Sequence, residues 1–237
     1  MKQVNVHIRR FDPQADSRPA WRAYAVEAKP KMSVLDALLT IVETIDGSIA
    51  FRYSCRAGMC GSCAMRIDGR EGLACRARLA RLGRRIWIEP LRSLPVIKDL
   101  LVDLDPFFAK YRRVDPSFTA AEPSLLTPPG TPAAIRPDAH LRDVVDRQID
   151  CISCGACYSA CPTVAANATY LGPAALNRAY TLAADVRDAA GEQRLARVSG
   201  GDGVFDCRNV GNCASVCPAG VDPLLSIQLL RKRALRG

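Results

Sequence analysis

The sequence predicts an α+β chain of two domains, and three observations carry that expectation. Residues 1 to about 105 mix period-two alternation with one amphipathic helical pattern. After residue 140 the β-branched alternation stops and only helical periodicity remains. Eleven cysteines, too many for ordinary core residues, fall into three tight groups. A length of 237 residues suits one or two domains, since a domain takes roughly 100–200 residues.

The first elements are strands. "VNVHIRRF" and "WRAYAVEA" alternate apolar and polar residues, which places one set on a buried face. "SVLDALLTIVETI" is a helix: Ser33 can cap it, with Asp36 three positions on, and Leu35, Leu38, Val42 and Ile45 recur at helical spacing. A short hairpin turns at Asp68-Gly69, and "RIWIEP" is a further strand. Strand, strand, helix, cysteine loop, strand is the order of a β-grasp, ferredoxin-like domain over residues 1–105. "DLLVDLDPFFAKYRRV", residues 99–114, is expected to form a connecting helix with Pro106 in its way. Six of the sixteen prolines lie between Pro116 and Pro137, so residues 106–137 read as a helix followed by an extended connector.

The second domain, residues 138–237, is expected to be all-helical. "DAHLRDVVDRQI" has Asp138 as a candidate cap. "GPAALNRAYTLAADVRD" opens with Pro173 at a first-turn position, and "DPLLSIQLLRKRALR" repeats the device with Asp222 and Pro223. Two cysteine runs, each ending in Cys-Pro, are the only internal repeat. This is the pattern of a bacterial-ferredoxin-type domain holding two clusters.

Hydrophobic residues make up 49% of the chain, enough for real cores. No run of about 18 apolar residues occurs, which predicts no membrane span. "MKQVNVHIRRFDPQ" lacks an apolar signal region, pointing to a cytoplasmic chain with reduced cysteines. The formal charge of +9 suggests an anionic partner. Three iron–sulfur clusters at about −2 each would bring it to about +3. With no helix-turn-helix or RNA-binding signature present, nucleic acid is not expected as a partner.

The cysteine spacings carry the chemistry. Cys55-x4-Cys60-x2-Cys63 matches the plant-type 2Fe–2S spacing, with Cys75 as the fourth ligand. Small residues in "CRAGMCGSC" give the loop room to turn three thiolates inward. The hairpin through Asp68-Gly69 returns Cys75 beside Cys63. Zinc more often takes two C-x2-C pairs, which this spacing does not supply. The second group, "CISCGACYSACP", is a complete ferredoxin run: Cys151, Cys154, Cys157 and Cys161, followed by Pro162. The third, "CRNVGNCASVCP", keeps Cys207, Cys213, Cys217 and Pro218 but has Val210 at the second ligand position. In two-cluster ferredoxins the fourth cysteine of each run ligates the other cluster. Cys151, Cys154, Cys157 and Cys217 then form a 4Fe–4S site. Cys161, Cys207 and Cys213 are left as three ligands, which suits 3Fe–4S. No cysteine remains over. His7 and His140, the only histidines, read as satisfied or exposed side chains. "GGDGVF" lacks a preceding strand and reads as a turn. No catalytic residue of the chain's own is expected.

The set "YSCRAGMCGSC", "CISCGACYSACP", "GPAAL" and "CRNVGNCASVCPAGVDP" resembles the iron–sulfur subunit of succinate dehydrogenase and fumarate reductase, over nearly the whole chain. "RRFDP" is similar to the family's opening strand. The resemblance implies an electron-transfer subunit with clusters in the order 2Fe–2S, 4Fe–4S, 3Fe–4S. It implies a partner flavoprotein that holds FAD and acts on succinate or fumarate. It further implies membrane anchor subunits, with or without haem b, and a quinone at the anchor junction. The subunit would be peripheral, on the cytoplasmic face of the membrane.

Two positions depart from ubiquinone-linked members of that family. "CPTVAANATYLGP" has no tryptophan, and Arg208, not histidine, follows Cys207. These departures point to menaquinone. The quinone candidates are Pro162, Val164, Arg208, Val210 and Arg231, with Arg231 at the place of a basic residue on the last helix. The plainer reading of Arg231, Lys232, Arg233 and Arg236 is a solvated or headgroup-facing helix end. Two other functions stay open on the sequence: a soluble multi-cluster carrier or thiol-linked relative, and a zinc-stabilised interaction protein.

Overall fold

The computed structural model describes residues 2–120, 140–185 and 187–236. The chain forms two compact units. One is Met1–Pro106 with Ile152–Ala160, the other Phe107–Cys151 with Cys161–Gly237. Its packing therefore divides it less simply than a cut between residues 105 and 138.

The first unit is built on a five-stranded sheet in the order β2-β1-β5-β3-β4. The strands are β1 (Lys2–Arg10), β2 (Ala20–Ala28), β3 (Ala64–Ile67), β4 (Arg70–Leu73) and β5 (Arg85–Glu89). β1 runs antiparallel to β2 and parallel to β5. The alternation in the sequence sets the register. Val4, Val6 and Ile8 are buried beside Val26 and Tyr24 on one flank and Ile86 and Ile88 on the other. Helix α1 (Val34–Thr44) covers that face with Val34, Leu35, Ala37, Leu38 and Ile41. Burying such a side chain contributes roughly 1.5–3 kcal/mol. Both halves of the Ser33/Asp36 capping box form. Ile45 does not join the buried stripe. It lies past the last turn and is 54% exposed, while Ile41 takes the core position.

Residues 99–114 are not one helix. β6 (Val96–Lys98) and β7 (Leu101–Val102) form a two-stranded sheet. Helix α2 (Asp105–Arg113) begins only afterwards. Pro106 then falls in the first turn, where a missing N–H breaks no helical bond. The β6–β7 turn also serves the cysteine loop. Buried Asp99 accepts from Arg10 Nε (2.9 Å), Phe11 N (3.0 Å) and Ala50 N (3.0 Å), fixing the chain five residues ahead of Cys55.

The second unit is helical: α3 (His140–Ile149), α5 (Pro162–Ala166), α6 (Pro173–Ala183), α7 (Gly191–Val198), α8 (Asn212–Ser215) and α9 (Pro223–Ala234). The short α4 (Ala156–Ser159) belongs to the first unit. α6 is central, and its alanines let neighbouring helices approach closely. Buried polar groups tie three helices together. Ser226 Oγ on α9 donates to Asn177 Oδ1 on α6 (2.7 Å), and Asn177 Nδ2 donates to the Gln148 carbonyl on α3 (2.9 Å). Asp222 caps α9 by accepting from Leu225 N at 3.0 Å. α6 stops at Ala183, short of the pattern that ran on to Asp188, and α7 follows as a separate helix. Asp138 and most of the Pro-rich connector lie outside the described residues.

Candidate metal centres

The first cysteine group sits on a loop whose backbone turns inward repeatedly. Arg56, Gly58 and Gly61 all have positive φ (57°, 77° and 73°). Such turns aim amide N–H groups at one point and make an anion-binding concavity. Here they converge on sulfur: Ala57 N, Met59 N and Cys60 N donate to Cys55 Sγ at 3.4, 3.3 and 3.3 Å. The Ser62 hydroxyl, followed by the backbone of Cys55 and Ser62, brings the Cys60 thiol down to about 6. β3 and β4 pair around Asp68 and Gly69, both left-handed, and Ala74 N donates to the Cys63 carbonyl at 3.0 Å. Cys75 thus returns beside Cys63. Both are buried, whereas Cys55 and Cys60 are exposed. Burial pushes the Cys63 thiol up to about 12. It would become a ligand only as metal replaces its proton.

Of the second group, Cys154 and Cys157 lie in the first unit, Cys151 and Cys161 in the second. Left-handed Gly155 (φ 79°) starts α4 between Cys154 and Cys157.

The third group frames a pocket inside the second unit. Cys161, Cys207 and Cys213 line it with Pro162, Tyr170, Arg208 and Val210. Burial, then the charges of Cys161 and Cys207, push the Cys213 thiol up to about 12. Tyr170 is fully buried, and its hydroxyl has no oxygen or nitrogen partner among the described residues. Burial first, then the charges of Cys207 and Cys161, the approach of the Cys207 thiol and the charge of Cys213, keeps that hydroxyl protonated. A buried donor facing three thiols, with no oxygen to bond, suits a pocket that holds sulfide. Nothing in the sequence singled out Tyr170.

None of the eleven cysteines forms a disulfide. Among the described residues no three His, Cys, Asp or Glu side chains close on a single ion. A cluster spreads its thiolates over several metals, farther apart than the 2.3 Å bonds to one zinc allow.

The quinone candidates separate. Pro162, Arg208 and Val210 line the three-thiol pocket, and Val210 is 57% exposed. Val164 is buried outside its lining. Arg231 turns inward: its guanidinium donates to the carbonyls of Val204 (2.5 Å) and Cys207 (3.0 Å) and lies over Phe205. This bracing of the Cys207 loop is a role the sequence did not suggest. His7 stacks on Trp87 at 4.1 Å.

Comparison with known proteins agrees with this geometry. Residues 5–109 match the 2Fe-2S iron-sulfur cluster binding domain family, and residues 147–221 match the 4Fe-4S dicluster domain family. The chain is 37% identical over 229 residues to the fumarate reductase iron-sulfur subunit of Mycobacterium tuberculosis, covering 96% of this chain and 91% of that one. It belongs to the family of iron–sulfur subunits of fumarate reductase and succinate dehydrogenase. The succinate dehydrogenase iron-sulfur subunit of Paracoccus denitrificans is likewise 37% identical, over 95% of this chain and 85% of its own. Among solved structures, a chain of the Mycobacterium smegmatis Sdh1 complex in the apo form superposes with a TM-score of 0.84 at 26% identity, covering 99% and 96%. The chain is therefore an electron-transfer subunit of an oxidoreductase complex. Among the described residues no helix is long and apolar enough to cross a membrane.

Proposed function

We propose that this chain links an FAD-containing flavoprotein to quinone in a membrane-associated succinate:quinone oxidoreductase, working as succinate dehydrogenase or fumarate reductase. The ligand sets are Cys55, Cys60, Cys63 and Cys75 for 2Fe–2S; Cys151, Cys154, Cys157 and Cys217 for 4Fe–4S; and Cys161, Cys207 and Cys213 for 3Fe–4S. When bound, such clusters supply one-electron storage at potentials set by cluster type, charge and hydrogen bonding. The residues do the rest. The amides of Ala57, Met59 and Cys60 hold negative charge at Cys55. Tyr170 offers a protonated hydroxyl to the third pocket.

The observation that carries this reading is the third pocket: three thiols together, with Val210 where the ferredoxin run has its second cysteine and the cluster its fourth ligand. Pro162, Arg208 and Val210 present an open, mixed apolar and basic rim, which fits a quinone ring and its carbonyls. Val164 is the buried member of the set, and Arg231 acts on the rim through the Cys207 carbonyl. Menaquinone is the proposed quinone. The chain would be peripheral on the cytoplasmic face of the membrane, held there by anchor subunits with or without haem b.

Metal analysis of the purified complex tests the reading. Summing the cluster formulas gives about nine irons and about ten acid-labile sulfides per chain. Succinate oxidation or fumarate reduction should require the flavoprotein. Stoichiometric zinc, iron in multiples of four only, or turnover by the isolated chain would overturn the proposal.

A further inference from the structure

The segment Ile152–Ala160 packs as part of the first unit, and two contacts hold it there. At the first, Gly61, between ligands Cys60 and Cys63, meets Cys154 backbone to side chain. A Cβ on Gly61 would stand 2.7 Å from Cys154 Cβ, 3.1 Å from its Cα and 3.1 Å from the Ile152 carbonyl. No side chain fits there, and φ of 73° disfavours one independently. At the second, the Ser159 hydroxyl donates to Glu71 Oε1 at 2.9 Å and accepts from Arg92 N at 2.7 Å. Ser159 and Glu71 are both buried. Glu71 lies on β4, in the hairpin joining Cys63 to Cys75, and pairs with Arg66 at 3.3 Å. Arg66 in turn pairs with Glu89 on β5. A buried ionic hairpin thus grips the segment two residues beyond Cys157, while the loop of the first cysteine group touches Cys154.

We propose that Gly61 and the Glu71–Ser159 hydrogen bond are positioning elements that fix the gap between the first cluster and the Cys154 ligand of the second. This rests on the reading that Cys55, Cys60, Cys63, Cys75 and Cys154 are cluster ligands. Electronic and magnetic coupling between two centres both fall steeply with their separation. A glycine at the point of approach keeps that separation at backbone contact, and the buried bond stops the segment from drifting out. Ordinary packing would explain one such contact. It does not explain a side-chain-free approach and a buried polar bond acting on opposite ends of one nine-residue segment.

The test uses the full chain in its complex, reduced, with the microwave power saturation of the 2Fe–2S EPR signal as the readout. In the wild type the neighbouring reduced cluster should speed relaxation of that signal. In Gly61→Ala the enhancement should fall several-fold. In Ser159→Ala it should fall less, and Ser159→Thr, which keeps the hydroxyl, should restore it. Iron content should remain at the wild-type level in the Ser159 variants. Wild-type relaxation in both alanine variants with clusters intact would overturn the proposal. So would loss of iron from both, since the contacts would then serve only stability. If Gly61→Ala alone loses its first cluster, the Ser159 pair decides. A wild-type complex with no 2Fe–2S signal would instead refute the ligand reading.

Discussion

Residues 151–162 and 207–218 trace the same backbone and differ at one ligand position. Ser153 and Asn209 are both left-handed, at φ 52° and 56°, as are Gly155 and Gly211, at 79° and 84°. Each glycine opens a four-residue helix, α4 or α8. The turn bonds correspond pair by pair: Ser159 N to the Gly155 carbonyl (3.0 Å) and Ser215 N to the Gly211 carbonyl (3.2 Å), then Ala160 N to Ala156 (3.0 Å) and Val216 N to Asn212 (3.1 Å). Cys154 in the first run corresponds to Val210 in the second. A run that had merely decayed would have no reason to keep two left-handed positions, which only glycine and, less readily, asparagine and aspartate adopt routinely. On the proposed ligand sets, the conformation outlasts the ligand because three other thiols still need it, and cluster type would be a choice made by one side chain on a fixed frame.

The largest effect is expected from closing the difference. Val210→Cys supplies the missing thiolate on a backbone already shaped for it. Val210 is exposed, so the substitution should change stability by less than about 0.5 kcal/mol. The third centre should gain an iron. The oxidised-state EPR signal of a 3Fe–4S centre should disappear, and the potential should drop, because a fourth thiolate adds negative charge around the metal. Electron delivery to quinone should slow while reduction of the other two centres survives. If the variant keeps the wild-type spectrum, position 210 does not face the cluster and the equivalence of the two runs fails.

A smaller effect is expected at Tyr170, which tests whether the three-thiol pocket is tuned by more than its ligand count. The tyrosine hydroxyl is a donor with no oxygen partner. A donor to sulfide favours the reduced, more negative state of a cluster. Tyr170→Phe should therefore lower the potential of the third centre in an EPR-monitored redox titration, leaving the other two unchanged. In the cluster-free chain the hydroxyl has no oxygen partner, so its removal should leave that form no less stable. An unchanged potential would show that the hydroxyl does not reach the cluster.

How far the sequence spoke depended on the range of the interaction. Local rules were legible. Alternation placed Val4, Val6 and Ile8 inside, Ser33 and Asp36 formed their box, and Asp68-Gly69 and Asp222-Pro223 did what their chemistry requires. The spacings set Cys161, Cys207 and Cys213 apart as one expected ligand group, and these three line one pocket. Non-local choices were not legible. "LLVDL" has apolar residues at spacings that suit a helix, but pairing with β6 drew Leu101 and Val102 into a strand. Nothing in "ISCGACYSA" says that it packs with the first unit, since that follows from the bare backbone of Gly61 and from Glu71, both distant in sequence. Tyr170 and Arg231 acquire their roles only from what surrounds them in three dimensions.

The smallest expected effect probes the shared backbone itself. Gly155→Ala and Gly211→Ala force an alanine into the same left-handed conformation, at a strain of roughly 1–2 kcal/mol each. Their surroundings add little. A Cβ at Gly155 would meet Leu91 Cδ1 at 3.4 Å and Leu104 Cδ2 at 3.8 Å, and one at Gly211 would meet Leu224 Cδ2 at 3.8 Å. These are ordinary contacts with the mobile ends of apolar side chains, so strain dominates both substitutions and the two penalties should agree. Each should lower the thermal midpoint of the cluster-loaded chain by roughly 2–8 °C. Gly200→Ala provides the baseline. Gly200 is not left-handed and a Cβ there meets nothing within 4 Å, so the midpoint should hold or rise slightly as the unfolded chain loses freedom. If one of the paired glycines tolerates alanine as Gly200 does while the other does not, the two runs are held in their common shape by different forces. The match between them would then be a resemblance of outline, and Val210 could not be argued from Cys154.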